Sequence, residues 1–440
     1  MQKKSILFFI CSLIFSKSML FGQTIQFEKF TLPNGLKVIL HEDHSAPVVA
    51  VTALYHVGSK NEDTARTGFA HFFEHLLFEG SENIKRGEFD KYVTNAGGVL
   101  NANTTQDRTF YYELLPSNQV DLGLWLESER MMHAKIEQVG VNTQREVVKE
   151  EKRMRMDNRP YGSFLTEMLK RAYKVHPYRW APIGSMEHLN AAKLEEFITF
   201  YKTYYVPNNC VLSIAGDFDK ADLKKKIESY FAPIPKGAPI VKPNIIEPPL
   251  GAEVRATIED NVQLEGVFQA YRAPKQGGDE YYAFNVLSNI LSGGESSRMN
   301  KTLVDNKQLA AAVQSVPFFN EDNGLFIALA IANMGVKADV LETNMDSVIS
   351  ELKSGLVGER EFQKVKNQIT TELVKSKATM AGIAENLANF EVYFGDANLV
   401  NTELEKYNKV TREDVLKVAK KYLNKDNRVV IYYVPKAKSK

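Results

Sequence analysis

Cysteine is nearly absent from this chain of 440 residues, which contains only Cys11 and Cys210. Two cysteines cannot form the disulfide framework that holds small secreted domains together, so the fold must depend on packing. Cys11 lies in an apolar N-terminal run that we interpret as part of a cleaved leader. Cys210 begins the apolar string Cys-Val-Leu-Ser-Ile, which predicts a small buried hydrophobic residue rather than a ligand.

The chain also lacks a large net charge of either sign. The chain has 55 basic and 54 acidic residues, and without the leader the balance is 52 to 54. Proteins that bind nucleic acids usually carry a basic surface, often interleaved with aromatic side chains, and no such stripe is visible here. We therefore expect no nucleic-acid partner.

No apolar run is long enough to cross a membrane. The longest N-terminal run, from Ile6 to Phe15, has ten residues, whereas a spanning helix needs about 20. Lys3 and Lys4 precede this run, and a possible cleavage site lies before Gln23. The pattern predicts a signal peptide over residues 1–22, no membrane span, and a periplasmic or secreted mature protein.

Proline is concentrated in one segment, residues 233–249, which holds six of the sixteen prolines. Such a density is typical of an extended linker, and it divides the mature chain into residues 23–232 and 250–440. Both parts run in the same order of strands, helix, glycine turn, strands and further helices, with predicted strands at 35–40, 48–54, 262–270 and 324–331. We predict an α+β fold of two homologous sheet-plus-helix halves.

The most informative motif is the string His71-Phe-Phe-Glu74-His75. On a helix, residues i and i+4 lie within about 40° of each other, and Glu74 lies one step round the same face. Two neutral imidazoles suit Zn²⁺, and a neighbouring carboxylate can accept a proton from water. The alternative is a solvated helix face that carries two of the eight histidines by chance.

The apolar residues around this motif form a stripe with the spacing of a buried helix face. The stripe is centred nearly opposite the two histidines and the glutamate, so it predicts a helix that is anchored by one face and presents chemistry on the other. Its members are Phe69, Phe72, Phe73, Leu76 and Leu77.

A third ligand must come from elsewhere, and the charged run at residues 144–153 offers one. Taken alone, this run predicts a solvated helix with i, i+4 ion pairs. However, the His-x-x-Glu-His string resembles the inverted zinc motif of the inverzincins, the pitrilysin-type metallopeptidases that include insulin-degrading enzyme and the mitochondrial processing peptidase. In that family a glutamate about 75 residues after the second histidine is the third ligand. Between His75 and Glu151 there are 75 residues.

The resemblance extends beyond these residues. Residues 57–62 and 68–71 resemble the strand and turn that lead into the zinc helix of the family, and residues 97–104 resemble its substrate strand. Residues 157–162 and 176–184 resemble the short bacterial members. The similarity covers nearly all of the mature chain.

The resemblance implies a zinc-dependent endopeptidase that hydrolyses unfolded peptides. His71, His75 and Glu151 would bind Zn²⁺, and Glu74 would be the general base on a zinc-bound water. It also implies that the two halves form half of a clam-shell chamber. A phosphoester or other metallohydrolase has little support, because the sequence has neither a phosphate-binding glycine loop nor a second metal cluster.

The segment Asn101, Ala102, Asn103 and Thr104 is polar for a strand, and a hairpin turn is an open alternative. The resemblance implies instead an edge strand that binds substrate through its main chain. The cluster at residues 110–112 is expected to pack in the core or flank that strand. The remaining histidines lack ligand spacing and are expected to be structural or on the surface; they are His41, His44, His56, His133, His176 and His188.

The chain departs from the family pattern at three positions. Active members carry an arginine and a tyrosine seven residues apart in the second half, where this chain has Val304 and Ala311, and Gln144 replaces a supporting glutamate. The nearby Arg298 belongs to a different motif and is expected to be structural, at a helix start. We therefore predict a heterodimer with a homologous subunit that lacks zinc ligands but carries the arginine and tyrosine. The alternative is a catalytically weak peptide-binding or scaffold subunit that retains zinc.

Overall fold

The computed structural model describes residues 24–242 and 245–437. The predicted signal peptide, residues 1–22, lies outside the described residues. The described chain forms two mixed β-sheets, each covered by helices, which confirms the predicted α+β class.

The first sheet and its helices come from the first half of the chain. Its strands are β1 (Glu28–Thr31), β2 (Lys37–Glu42), β3 (Val48–Tyr55), β4 (Val99–Thr104), β5 (Thr109–Pro116) and β6 (Cys210–Gly216). Its helices are α1 (Phe69–Leu76), α2 (Phe89–Asn95), α3 (Val120–Met132), α4 (Gln138–Lys152), α5 (Phe164–Ala172), α6 (Met186–Ala191), α7 (Leu194–Tyr204) and α8 (Lys220–Phe231).

The second half repeats this plan. Its strands are β7 (Val254–Asp260), β8 (Gly266–Arg272), β9 (Ala310–Phe318), β10 (Leu325–Ala332) and β11 (Arg428–Pro435). Its helices are α9 (Asp279–Ser292), α10 (Ala338–Ser354), α11 (Glu359–Lys375), α12 (Met380–Phe394), α13 (Leu399–Lys409) and α14 (Arg412–Tyr422). Two π-helical segments, Arg153–Asp157 and Asn300–Asn306, follow α4 and precede β9.

The two sheets have the same topology. The first has the order β1-β2-β6-β3-β5-β4 and the second β7-β11-β8-β10-β9, so β2 corresponds to β7 and β4 to β9. In the first sheet β2 and β6 are parallel, and in the second sheet β7 and β11 are parallel. The other pairs of the repeated strands are antiparallel. This shared topology confirms the predicted duplication, with β1 as an addition to the first half.

Three of the four predicted strands overlap an observed strand closely, and the fourth was placed too early. The predicted strand at 262–270 corresponds to β8, which begins at Gly266. Residues 261–265 instead connect β7 to β8, and the amide of Val262 donates to the carbonyl of Asp260 in this turn (2.8 Å). Strand β7 was not predicted; its alternating burial is that of a strand with one solvent-facing side.

The predicted linker lies between α8 and β7. Helix α8 ends at Phe231 and β7 begins at Val254, and the described part of residues 233–249 contains neither helix nor strand. The domain bounds 23–232 and 250–440 nevertheless remain a prediction, because each half also contributes helices to the other.

This exchange of helices is the main feature that the sequence did not predict. One face of the first sheet packs on helices of its own half, but Ile39 and Leu54 on the opposite face pack against Ile383 and Leu387 of α12. One face of the second sheet is covered by α5 of the first half. Leu169, Phe268 and Ile431 belong to the hydrophobic core between them. Each sheet is therefore covered on one face by a helix from the other half of the chain.

Candidate metal centre

Helix α1 is held in place by aromatic packing on one face. Phe69 stacks on Phe197 of α7 with ring centroids 4.5 Å apart, and Phe73 stacks on Phe200 at 5.4 Å. All five residues of the predicted stripe are buried. This confirms an anchored helix and fixes which way the opposite face points.

The opposite face brings His71 and His75 together with Glu151 of α4. The Nε2 atoms of the two imidazoles are 3.4 Å apart, and Glu151 Oε2 lies 3.4 Å from His71 Nε2 and 3.1 Å from His75 Nε2. Among the described residues, these three form the one group of histidine, cysteine, aspartate and glutamate side chains close enough to hold a metal ion.

This arrangement fits Zn²⁺ by distance and by donor type. Ligand atoms about 2.0 to 2.1 Å from a tetrahedral zinc lie about 3.3 Å from each other, which matches the three separations. Glu151 Oε2 is buried and makes no hydrogen bond other than its contacts with the two imidazoles. Two imidazole nitrogens and a carboxylate oxygen are a normal donor set for a zinc site that keeps its fourth position open.

The surroundings of Glu151 favour its ionised form. Burial by itself would raise the pKa of this carboxyl, but hydrogen bonds and charge interactions with His71 and His75 outweigh burial and hold the pKa well below its usual value. The other carboxylate oxygen, Oε1, lies 2.6 Å from Arg155 Nη1. Glu151 is therefore available as an anionic ligand near neutral pH.

The register of α4 separates Glu151 from its neighbour Glu150. Glu150 is exposed and pairs with Arg153 at 3.1 Å on the solvent side. Glu151 is turned towards α1, with its side chain 14% exposed. The helix is thus both the solvated, ion-paired helix that its composition predicts and the carrier of one inward carboxylate.

Glu74 lies between the two histidines in sequence and is half buried. Within the described part of the chain its carboxylate forms no hydrogen bond or ion pair. A carboxylate on the histidine side of α1 without a fixed partner is suited to accept and release a proton.

Comparisons with known proteins identify the family of this chain. The family model for insulinase (peptidase family M16) matches residues 37–179. The model for the peptidase M16 inactive domain matches residues 191–369. Zinc protease PqqE of Helicobacter pylori is 31% identical over 414 residues, which are 93% of this chain and 93% of that protein. The chain belongs to peptidase family M16.

Other M16 proteins support the same assignment. The crystal structure of a protease from Helicobacter pylori superposes with a TM-score of 0.90 at 29% identity, covering 94% of this chain and all of that one. The probable mitochondrial-processing peptidase subunit beta of Arabidopsis thaliana is 23% identical over 406 residues, which are 89% of this chain and 75% of that protein. The predicted resemblance to pitrilysin-type peptidases is confirmed.

The segment that resembles the M16 substrate strand is a strand and not a hairpin turn. It is β4, at the edge of the first sheet, where it pairs with β5 alone. The amide of Ala102 donates to the side-chain Oδ1 of Asn101 (2.8 Å). This main-chain donor therefore serves no partner in β5, and β4 keeps an unpaired edge in the described structure.

A cavity of about 610 Å³ opens beside β4 and the end of α1. Phe78 and Leu100 give it an apolar wall, and Glu79 gives it an acidic one. The side-chain amide of Gln144 donates to Glu79. Its side chain is thus engaged away from the histidines.

The structure places Val304 and Ala311 in two different elements of the second half. Val304 lies in the π-helical segment Asn300–Asn306 and packs against the hydrophobic core between the second sheet and the helices of its own half. Ala311 lies in β9. Neither side chain can donate a hydrogen bond. Arg298 pairs with Glu361 of α11 at 2.8 Å, which is a structural contact.

The sequence places residues 57–62 shortly before the helix of the two histidines but assigns no role to Glu62 itself. Its side chain is buried, and its two carboxylate oxygens accept from the amides of Gly68 (2.8 Å) and Ala70 (2.9 Å) at the start of α1. Burial raises the pKa of Glu62 to about 8, although these backbone hydrogen bonds act in the opposite direction. Its distance of six residues from the helix start hides it from the usual capping pattern.

A second unpredicted feature is a buried arginine at the C-terminal end of α1. Arg130 is fully buried, donates to the carbonyl of Leu77 (2.9 Å), and lies 4.1 Å from the ring centroid of Tyr111. Its guanidinium also lies 3.0 Å from Glu127 and 3.4 Å from Glu113. This buried group ties α1 to α3 and β5.

The other predictions on single residues agree with the structure. Cys210 is buried at the start of β6. Each of the six remaining histidines has a hydrogen-bond partner outside the metal group; these are His41, His44, His56, His133, His176 and His188. Among the helices of the described residues, none has the length and apolar character needed to span a membrane.

Proposed function

We propose that this M16 protein is a zinc-dependent endopeptidase that hydrolyses unfolded peptides. The observation that carries the proposal is the convergence of His71, His75 and Glu151, with ligand atoms separated by 3.1 to 3.4 Å. The similarity to zinc protease PqqE of Helicobacter pylori supports the same reaction class.

In this proposal His71, His75 and Glu151 hold Zn²⁺, and Glu74 is the general base. When bound, zinc would supply a Lewis acid that polarises a carbonyl and lowers the pKa of water to about 7. Glu74 takes a proton from the attacking water and passes it to the leaving nitrogen as the peptide bond breaks. Its half-buried position without a fixed partner leaves it free to do both.

Substrate binding is assigned to β4, over Asn101, Ala102, Asn103 and Thr104. An extended peptide that adds to the free edge would pair with main-chain groups, which gives affinity with little demand on sequence. The Ala102 amide faces that edge and would exchange its bond with Asn101 Oδ1 for one with the peptide. A folded substrate cannot present such an extended segment, so we expect unfolded chains to be cleaved.

We propose further that the chain is the zinc-bearing subunit of a heterodimer. The M16 resemblance implies that its two halves, residues 23–232 and 250–440, form half of a clam-shell chamber. The homologous subunit would lack zinc ligands and supply the arginine and tyrosine that Val304 and Ala311 replace here. The apolar, lysine-preceded N-terminus supports a periplasmic or secreted location after removal of residues 1–22.

The test is to measure bound metal and peptidase activity on the same purified chain. We expect about one zinc per chain, cleavage of unfolded peptides when the second subunit is present, and loss of that cleavage after chelation with recovery on adding Zn²⁺. A chain that binds no zinc would disprove the proposal. A chain that binds zinc, binds peptides and shows no cleavage with any homologous subunit would support the alternative of a scaffold subunit, which the missing donors at Val304 and Ala311 favour.

A further inference from the structure

The start of α1 lacks a capping side chain of its own. The first amides of a helix have no partner within the helix and normally bond to a side chain of the N-cap residue. Here the N-cap is Gly68, which has φ +98° and no side chain. Helix α1 is only eight residues long, so an unsatisfied first turn would affect His71, its third residue.

Glu62 supplies the missing cap from a distance. One carboxylate oxygen accepts from the Gly68 amide and the other from the Ala70 amide, at 2.8 and 2.9 Å. Ala70 directly precedes His71.

The loop that carries Glu62 to α1 is fixed from the other side as well. A Cβ on Gly184 would lie 2.3 Å from the backbone of Gly68, so the two glycines hold two chain segments in close contact. Thr67 Oγ1 accepts from the amide of Ser185 (3.1 Å). Glu62 therefore contacts the start of α1 on one side, and residues 184–185 contact it on the other.

We propose that Glu62 is a positioning residue for the metal centre, which sets the place of His71 relative to Glu151 by capping α1. This rests on the proposed function, because it assumes that these residues bind zinc. Groups that orient metal ligands typically change metal affinity by about 10- to 100-fold when they are removed. A purely structural cap would lower the stability of the fold and leave zinc affinity unchanged.

The experiment compares zinc affinity, measured by competition with a chelator, with the thermal stability of the metal-free chain. We expect Glu62→Ala to weaken zinc binding at least tenfold. We expect Glu62→Gln, which keeps one acceptor oxygen, to be intermediate. In the assembled enzyme kcat should fall while KM changes little, because β4 is untouched.

Asp219 offers a matched control. It is the N-cap of α8, where its side chain accepts from the amide of Asp222 (2.7 Å), and α8 carries none of the proposed ligands. We expect Asp219→Ala to lower the melting temperature without changing zinc affinity beyond twofold. Equal zinc affinity in wild type and Glu62→Ala would overturn this inference alone, whereas a wild-type chain without zinc would overturn the proposed function and this inference with it. If Glu62→Ala does not fold, Glu62→Gln decides by the same comparison, since unchanged zinc affinity there also overturns the inference.

Discussion

The imidazole of His56, in the first half of the chain, lies 2.9 Å from the carboxylate of Glu321, in the second half. Lys60 joins the same carboxylate and also pairs with Asp107 at 2.7 Å. These side chains are mostly shielded from water, with 14% of His56 and 16% of Glu321 exposed. The two halves are therefore linked by a buried charge cluster as well as by exchanged helices.

The first prediction concerns the stability that Glu321 provides. Burial would raise its pKa, but the hydrogen bond and charge of His56, together with the charge of Lys60, hold that pKa well below the usual 4.5. A carboxyl whose folded-state pKa is lowered stabilises the fold above its unfolded-state pKa, and this contribution is lost as the pH falls below about 4.5. Glu321→Gln should cost about 1.5 to 3 kcal/mol at pH 7 and progressively less in acid.

Urea denaturation of the metal-free chain at pH 7 and pH 3.5 measures this effect. Glu405→Gln is the control, because Glu405 is exposed. An equal loss of stability at both pH values would contradict the assignment of the effect to the ionised carboxylate.

The second prediction separates metal binding from proton transfer. Glu74 lies beside the proposed ligands without being one of them, so Glu74→Gln should keep about one zinc per chain and lose turnover. His71→Ala should lose both the bound zinc and the turnover. Metal analysis and peptide cleavage on the same samples check this, and full activity in Glu74→Gln would remove the proposed mechanism.

The third prediction uses two adjacent glutamates as a matched pair. Glu151→Gln removes the carboxylate that lies 3.1 Å from His75 Nε2, whereas Glu150→Gln changes an exposed side chain paired with Arg153. We expect zinc affinity to fall at least tenfold in the first variant and to stay within about twofold in the second. Chelator competition measures both, and the reverse order would show that the proposed ligand is the wrong residue.

The fourth prediction concerns the free edge of β4. Proline at Ala102 deletes an amide that bonds to Asn101 Oδ1 and not to β5, so the sheet should survive while one donor to the peptide is lost. Ala102→Pro should lower kcat/KM for extended peptides more than Ala102→Ser does. Circular dichroism verifies the fold. Equal kcat/KM in the two variants, or efficient cleavage of a tightly folded protein, would count against substrate pairing with β4.

The fifth prediction concerns the missing donors. Loss of one preorganised donor to a tetrahedral intermediate commonly costs about 10² to 10³ in rate, and Val304 and Ala311 provide none. The isolated chain should bind zinc but be nearly inactive, and mixing with the homologous subunit should restore peptidase activity. Mutating the tyrosine of that subunit should remove the activity again. Full-rate cleavage by this chain alone, as monomer or homodimer, would refute the heterodimer.

The sequence predicts the local features of the site well, because helix periodicity is local. The spacing of His71 and His75 and the apolar stripe behind them were sufficient to place both imidazoles on one face of α1. Assignment of Glu151 depended on the family resemblance, since charge pattern alone does not distinguish it from Glu150.

Long-range contacts were harder to predict. An apolar stripe shows that α12 is buried on one face, but periodicity does not show that its partner is the sheet of the other half. The cap from Glu62 was missed because it spans six residues of irregular loop, and the buried cluster at Glu321 because its members are separated by more than 200 residues.

The exchange of α5 and α12 also constrains the order in which the chain can fold. The first sheet cannot cover Ile39 and Leu54 until α12, about 330 residues later, has been synthesised. A fragment that ends at the linker would leave this apolar surface open to water and prone to aggregation. The nascent chain therefore needs protection from association until nearly its whole length is available.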